Sequence, residues 1–387
     1  MTGKISGSGN IQSLLNFSTQ ASNYCFDRLF QGCTSLVTAP ELPALIVGNY
    51  SYFYMFNGCT NLITAPSILP AMDVPQQAYQ AMFQGCSSLK DTPKLPASNL
   101  ATQCYAFMFK DCTSLSGISE LSATILANSC YREMFENCTS LKEAPELPAT
   151  TLGAACYYGM FSTCSSLKDM PVISAKFVTG TSNFGYMFAT CTSLTGTVDL
   201  LPTHLFGANY GSMFNNCTSL KIAPHLHLSA IQVPQANMFY NCPKLNEIDV
   251  DAVTWDNTNT QNWLYNNQAS GTFYCPLELS IPSRDVNGVP PTWNIVRKLA
   301  YIESTGTQYI DTGVKPDFTQ NDEIYISFFS AQHTGAAPCI MGSRQSGLKN
   351  GVYALNVTIT VMGDHSYKSY LIDLVGKHWF KVNNQKI

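Results

Sequence analysis

The chain has 387 residues and a formal net charge of −4, with 21 Lys and Arg against 25 Asp and Glu. This balance excludes nucleic-acid binding as a main role, because that role requires a strongly basic face. No run of about 18 apolar residues occurs, so no membrane insertion is predicted. The opening MTGKISGSGNIQSLL lacks the apolar core of a secretory signal.

Residues 1–24 are predicted to form a cap on a repeat that occupies residues 25–250. Each unit is anchored on a cysteine that follows a Phe by three positions and precedes a Leu by three. Successive anchors are 25 to 27 residues apart, and a period in this range is typical of a solenoid. The nine anchors are Cys33, Cys59, Cys86, Cys112, Cys138, Cys164, Cys191, Cys217 and Cys242.

Each unit is predicted to contain a short helix followed by a short strand. In CYAFMFKDCTSL, the residues Tyr105, Met108 and Phe109 have the i, i+3, i+4 spacing of one helix face. Gly or Asn before the anchor cysteine in six of the nine copies favours a left-handed helix end there. Parallel strands lie about 4.8 Å apart and helices about 8–10 Å apart, so the solenoid is predicted to curve with its helices outside.

The Phe, Cys and Leu of each unit are predicted to point inward, with the cysteine as a small buried apolar residue. A nucleophile would occur once rather than nine times, and no CxxC pair supports a zinc site. Equivalent positions on neighbouring helices are expected to lie too far apart for a disulfide bond, so the thiols are predicted to be reduced. The core residues predicted in this way include Phe30, Cys33, Leu36, Phe109, Cys112, Leu115, Phe135, Cys138 and Leu141.

Between the anchor Leu and a following Pro, several units have a variable three-residue segment that is predicted to lie on the concave strand face. Four of these segments begin with a lysine: Lys90, Lys142, Lys168 and Lys221. The row predicts weak contacts with an anionic polysaccharide that add up along the array. The alternative is that each lysine only keeps a short strand soluble.

Two further groups of residues contain possible metal ligands. His225 and His227 in PHLHL could hold a metal from one side of a strand, but two ligands without a third favour an exposed strand pair. Asp249, Asp251 and Asp256 form an acidic cluster without the spacing of an EF-hand, which favours a solvated turn over a calcium site. No catalytic, cofactor or metal site is therefore predicted.

The period stops after Cys242, and the polar residues 251–297 are predicted to form a C-terminal cap and linker. From residue 298, runs such as EIYISFFSA and GVYALNVTITVMG are rich in strand-forming residues. They predict an all-β sandwich or jelly-roll module over residues 298–387, which is expected to continue beyond the last residue.

Two segments resemble known families. The repeat YxxMFxxCTSLxxAPxLPA, over roughly residues 20–250, resembles the BspA-like leucine-rich repeats of gut-bacterial surface proteins and their phages. That resemblance implies an α/β solenoid used for adhesion, without catalytic residues. The segment LAYIESTGTQYIDTGVKP resembles the opening of concanavalin A-like, laminin G-type modules, which implies glycan binding, in some members with calcium, and no other cofactor.

Three functions are weighed on this basis. The first is a phage virion fibre or decoration protein, assembled in the host cytoplasm, that contacts bacterial surface polysaccharide or protein, other virion proteins and further copies of itself. The second is a bacterial cell-surface adhesin. The third, a glycan-active enzyme, would need paired carboxylates, but Glu41 and Glu146 have Ser67 and Lys94 at equivalent positions. The first function is preferred, and the module after residue 298 is the competing ligand site.

Overall fold

The computed structural model describes residues 5–7, 9–196, 210–226, 236–280, 283–298, 323–325, 354–363 and 366–375. The chain winds into stacked coils, each about 25 residues long, that pair with one another through parallel strands and bridges. A repeat solenoid was predicted from the period, and the stacked coils confirm it.

The strands that link the coils are very short. β1 (Ile5–Ser6) pairs with β3 (Leu36–Thr38), and β2 (Gln20–Ala21) pairs with β4 (Ile46–Val47). A five-stranded parallel sheet then takes one strand from each of five successive coils. Its strands are β5 (Asp73–Val74), β6 (Asn99–Leu100), β7 (Ile125–Leu126), β8 (Thr151–Leu152) and β9 (Phe177–Val178).

The parallel ladder continues beyond the last cysteine of the predicted repeat. β10 (Glu247–Asp249), β11 (Thr272–Pro276), β12 (Asn294–Lys298) and β13 (Glu323–Tyr325) form a second parallel sheet in that order. Parallel strand pairing therefore extends past residue 250, into the segment that is expected to be a cap and linker. The coil after Cys242 does not match the sequence motif, because Asn267 stands in the place of the anchor cysteine. The Asn267 side chain accepts a hydrogen bond from the backbone N–H of Cys242 at 2.9 Å.

The predicted β-sandwich over residues 298–387 lies mostly outside the described residues. Besides β13, the structure describes β14 (Ala354–Gly363) and β15 (Ser366–Val375) in this part of the chain. These two strands form an antiparallel pair. The sandwich as a whole stays a prediction.

The predicted helices are wrong for the described residues, which contain one 3₁₀ helix, Gln12–Leu15, and no α-helix. The segment before each anchor cysteine is instead a chain of tight turns, called here the turn ribbon: the nine residues that precede each anchor. In the ribbon, hydrogen bonds alternate between local and inter-coil. The N–H of Met108 donates to Tyr105 at 3.2 Å, whereas the N–H of Phe109 donates to Met134 of the next coil at 2.9 Å.

Every fourth residue of the ribbon has a left-handed backbone. In one coil these residues are Gln103, Phe107 and Asp111, with φ between 57° and 63°. A left-handed conformation costs about 1–2 kcal/mol for a non-glycine residue. The inter-coil hydrogen bonds, which an isolated helix would not make, offset that cost.

Two ladders of stacked aromatic rings fill the solenoid under the ribbon. The Phe three residues before each anchor stacks on its equivalents with ring centroids 5.3–5.8 Å apart. A second ladder of Tyr and Phe, seven residues before each of the first eight anchors, has spacings of 5.2–6.3 Å. Backbone hydrogen bonds join the ribbons of neighbouring coils, so the 8–10 Å spacing of packed helices, on which the predicted curvature rested, does not apply to them.

The anchor cysteines are part of the packing. From the second coil to the ninth, each anchor cysteine is fully buried. Its S–H donates to the carbonyl oxygen of the ladder Phe in the preceding coil, as Cys138 does to Phe109 at 3.2 Å. All 14 described cysteines are free thiols. The spacing of neighbouring helices, which was the reason given for expecting reduced thiols, does not apply because the ribbons are not helical.

The first coil departs from this pattern. Cys33 and Cys25 are exposed and Phe30 is only partly buried, contrary to the prediction that every anchor is inside. In the described residues no turn ribbon precedes this coil, so its side chains are covered from one side only. Six further residues of the predicted core, Phe109, Cys112, Leu115, Phe135, Cys138 and Leu141, are fully buried, and Leu36 is buried as well.

Candidate functional site

The four lysines of the predicted row lie at equivalent positions on the solenoid surface. Lys90, Lys142, Lys168 and Lys221 are all exposed. Lys142 and Lys168 are on adjacent coils, since the N–H of Lys168 donates to the carbonyl of Lys142 at 3.4 Å. Each of the other two lysines is separated from this pair by one coil.

Carboxylates lie beside three of these lysines. Asp91, Glu143 and Asp169 each follow a lysine of the row directly and are exposed as well. The Asp91 carboxylate leans over the next coil, where it occupies the space that a side chain at Gly117 would need. The face therefore alternates in charge, which weakens its attraction for a polyanion compared with lysines alone.

A different surface carries aromatic rings that are exposed or half-buried. We call Tyr24, Arg28, Tyr50, Phe53 and Tyr54 the aromatic patch; it lies on the turn ribbons of the first two coils. The rings of Tyr24 and Tyr50 stack with centroids 4.8 Å apart, and Tyr24 is 59% exposed. The Arg28 guanidinium lies over the rings of Phe53 and Tyr54, at 5.0 and 5.4 Å from their centroids.

The outward positions of the ribbon explain how such a patch arises. Nine, six and five residues before the anchor, the side chains of the first two coils are exposed or half-buried, and the residues at these positions vary from coil to coil. The core motif therefore says nothing about them. Comparing the position nine residues before the anchor across all nine units would have shown that only the first two have Tyr there, at Tyr24 and Tyr50.

A second cluster lies on the ribbons of the fourth and fifth coils. The ammonium group of Lys110 forms ion pairs with Glu133 at 2.8 Å and with Glu136 at 2.7 Å. Arg132 forms a further ion pair with Glu133 at 3.2 Å and lies over the ring of Tyr158 at 4.6 Å. These groups come from neighbouring coils and are half-buried, so their charges largely neutralise one another.

The two carboxyl groups of this cluster differ in acidity. Burial and the hydrogen bond with Glu133 raise the pKa of Glu136 to about 7. Burial also opposes the charged form of Glu133, but hydrogen bonds from Glu136 and Lys110 lower the pKa of that carboxyl below its usual value. The pair therefore holds one proton between the two carboxyls below neutral pH, and the proton resides on Glu136.

This arrangement predicts a pH-dependent stability. Because the pKa of Glu136 is about 7 in the folded chain against about 4.5 normally, the free energy of unfolding should fall as pH rises through this interval. Glu136→Gln keeps a neutral hydrogen-bond donor beside Glu133 and should abolish that fall. Urea denaturation of both proteins from pH 4.5 to 8 measures the difference. Glu143→Gln, an exposed carboxyl in the same coil, is the control; an unchanged profile in Glu136→Gln would contradict the assignment.

The structure also brings together residues that the sequence placed in two separate groups. His225 lies beside Asp249 and Asp251 of the following coil, with its Nε2 atom 2.9 Å from Asp251 and 3.7 Å from Asp249. Asp256 is not part of this cluster, since its side chain accepts hydrogen bonds from Thr258 and Asn259 in a turn. His227 lies outside the described residues.

No known family model matches the chain, and no curated protein does. Among solved structures, the chain is similar to a leucine-rich repeat protein from Bacteroides ovatus at 16% sequence identity and a TM-score of 0.31. The match covers 72% of this chain and 88% of that one. The evidence for the repeat architecture is therefore the stacked coils of this chain. In the described part of the chain, no helix has the length and apolar character needed to span a membrane.

Proposed function

We propose that this chain is a non-enzymatic binding protein displayed on a surface, and that its turn ribbons carry the ligand-contacting side chains. The supporting observation is the aromatic patch, in which stacked rings and an arginine remain partly exposed on turn ribbons that are hydrogen-bonded to each other. Aromatic residues and Arg are enriched where proteins contact partners, and aromatic side chains lose little conformational entropy on binding. The surrounding repeat holds them in place before any ligand arrives.

We further propose that the surface is that of a phage virion, with a bacterial cell surface as the alternative. The reduced, buried thiols support assembly in a reducing cytoplasm, where phage parts are made. The resemblance of the repeat to BspA-like sequences and of residues 299–316 to concanavalin A-like modules supports adhesion to a bacterial polysaccharide or protein. On this proposal the chain is a fibre or decoration subunit that contacts other virion proteins.

Binding to intact gut-bacterial cells and to purified capsular polysaccharide tests which face is used. The variant Tyr24→Asn/Tyr54→Asn removes two rings, and Asn tolerates the left-handed backbone that both positions adopt, with φ of 55° and 54°. We expect its affinity to fall at least about tenfold, as for a typical binding hot spot. Lys142→Gln/Lys168→Gln tests the lysine row in the same assay.

Tyr186→Asn is the matched control, because Tyr186 occupies the same ribbon position as Tyr54, is 45% exposed and has a φ of 57°. Its binding should equal that of the unaltered chain. If neither the aromatic variant nor the lysine variant changes binding, the ligand site belongs to the module after residue 298. The solenoid would then be a spacer and the proposal would fail.

A further inference from the structure

We propose that His225, Asp249 and Asp251 form a binding site for a divalent transition-metal ion, for which Zn²⁺ is the best match. The inference is independent of the proposed function. Each residue offers one ligand atom, and the three atoms all lie within 4.8 Å of one another. Within the described ranges, no other group of three His, Cys, Asp or Glu side chains converges in this way.

The distances fit a common metal centre. For metal–ligand bonds of about 2.0–2.2 Å, two ligand atoms of a tetrahedral site are about 3.3–3.6 Å apart, and those of an octahedral site about 3 Å. The imidazole Nε2 lies 2.9 Å from Asp251 and 3.7 Å from Asp249, on either side of these values. Small rotations of the side chains would therefore place all three atoms on one ion.

The backbone holds these side chains in register across two coils. Leu226 and Val250 form a parallel bridge, and both side chains are buried. The N–H of Leu226 donates to the carbonyl of Asp249, and the N–H of Asp251 donates to the carbonyl of Leu226, each at 3.0 Å. His225, Asp249 and Asp251 flank this bridge directly. The ligand positions are thus fixed by the inter-coil ladder before an ion binds.

The donor set favours a transition metal over calcium or magnesium. Imidazole nitrogen suits Zn²⁺ and related ions, whereas Ca²⁺ and Mg²⁺ prefer oxygen donors. Two carboxylates and a neutral imidazole carry a formal charge of −2, which matches a divalent cation. Three protein ligands leave at least one coordination position for water or for a carboxylate of a partner. The ion would join one coil of the solenoid to the next.

Isothermal titration with ZnCl₂ tests the site on the full chain after treatment with a chelator. Because Cys25 and Cys33 are exposed thiols and would bind zinc themselves, the titrations use Cys25→Ser/Cys33→Ser as the starting protein. We expect His225→Ala and, separately, Asp251→Asn to weaken the zinc affinity at least tenfold. Asp256→Asn, a nearby acidic residue outside the cluster, should leave it unchanged. Melting of each metal-free variant checks that it is folded.

Two further readouts separate the proposal from its alternatives. Co²⁺ bound at this site should give a spectrum without the thiolate charge-transfer band that cysteine ligands produce. CaCl₂ should bind much more weakly than ZnCl₂. Equal zinc affinity in folded His225→Ala and Asp251→Asn would overturn the proposal and leave a His–Asp ion pair. Calcium binding that equals zinc binding and ignores His225→Ala would overturn the transition-metal assignment.

Discussion

Replacing Phe135 with Ala is expected to lower the free energy of unfolding by about 3–5 kcal/mol, the range for large-to-small changes in a packed core. Phe135 is fully buried, and its ring lies 5.6 Å from that of Phe109 and 5.7 Å from that of Phe161. Removing it takes one ring out of a continuous ladder. The substitution removes the ring contacts with both the preceding and the following coil. Such contacts between neighbouring repeats make the unfolding of a solenoid cooperative.

Urea denaturation followed by circular dichroism measures this loss. Phe177→Ala is the matched control, because Phe177 is 61% exposed and lies on a strand of the same solenoid. Its effect should stay within about 0.5 kcal/mol, as for other surface substitutions. A second unfolding transition in Phe135→Ala would show that the array has separated into two halves at the damaged coil. Wild-type stability in Phe135→Ala would contradict the packing that the aromatic ladder implies.

The sequence predicts the interior of this protein well because the interior is what repeats. Phe135, Cys138 and Leu141 recur in every copy since each coil has to fill the same space between two identical neighbours. All three are fully buried. The partner of the cysteine S–H, a carbonyl in the preceding coil, was not predictable, because the hydrogen bond joins residues about 29 positions apart in the chain.

The helices were predicted wrongly because two conformations share one pattern of inward residues. Tyr105, Met108 and Phe109 fit one face of an α-helix, but Cys104 and Cys112 are buried with them. That set repeats every four residues rather than every 3.6 and follows the turn ribbon. Only the position before the anchor is enriched in Gly and Asn. The other left-handed positions, such as Phe107, carry no sequence signal for their conformation.

The surface clusters could not be predicted from a single unit. The aromatic patch and the Lys110 cluster each combine outward side chains from neighbouring coils. His225 is separated in sequence from Asp249 and Asp251, and the register Leu226 to Val250 is what brings the three together. The lysine row was visible because it keeps a constant distance from the anchor. The sequence also shows the carboxylates that directly follow three of these lysines. Their negative charge weakens the attraction of the row for a polyanion.

The exposed thiols Cys25 and Cys33 are expected to react with a thiol reagent as fast as free cysteine, and the buried ones at least about a thousandfold more slowly. Two of the 14 described cysteines are exposed and 12 are buried. Burial raises the pKa of Cys59 and Cys164 to about 12, so almost no reactive thiolate forms at neutral pH. A buried thiol reacts only when the coils open, which a stability of at least about 5 kcal/mol makes rare.

A kinetic titration with a chromogenic disulfide reagent measures both populations. Cys25→Ser/Cys33→Ser should remove two equivalents of the fast phase, and this difference is the reading used, since Cys339 lies outside the described residues. After denaturation without reductant, all 15 thiols of the chain should react. Missing thiols would show disulfide bonds. The Cys138 thiol is fully buried and donates to the carbonyl of Phe109 in the preceding coil. Fast reaction at such a position would show that the coils open locally and would contradict the prediction. Slow reaction of all the buried anchor thiols would show that the stacked coils on either side protect each of them.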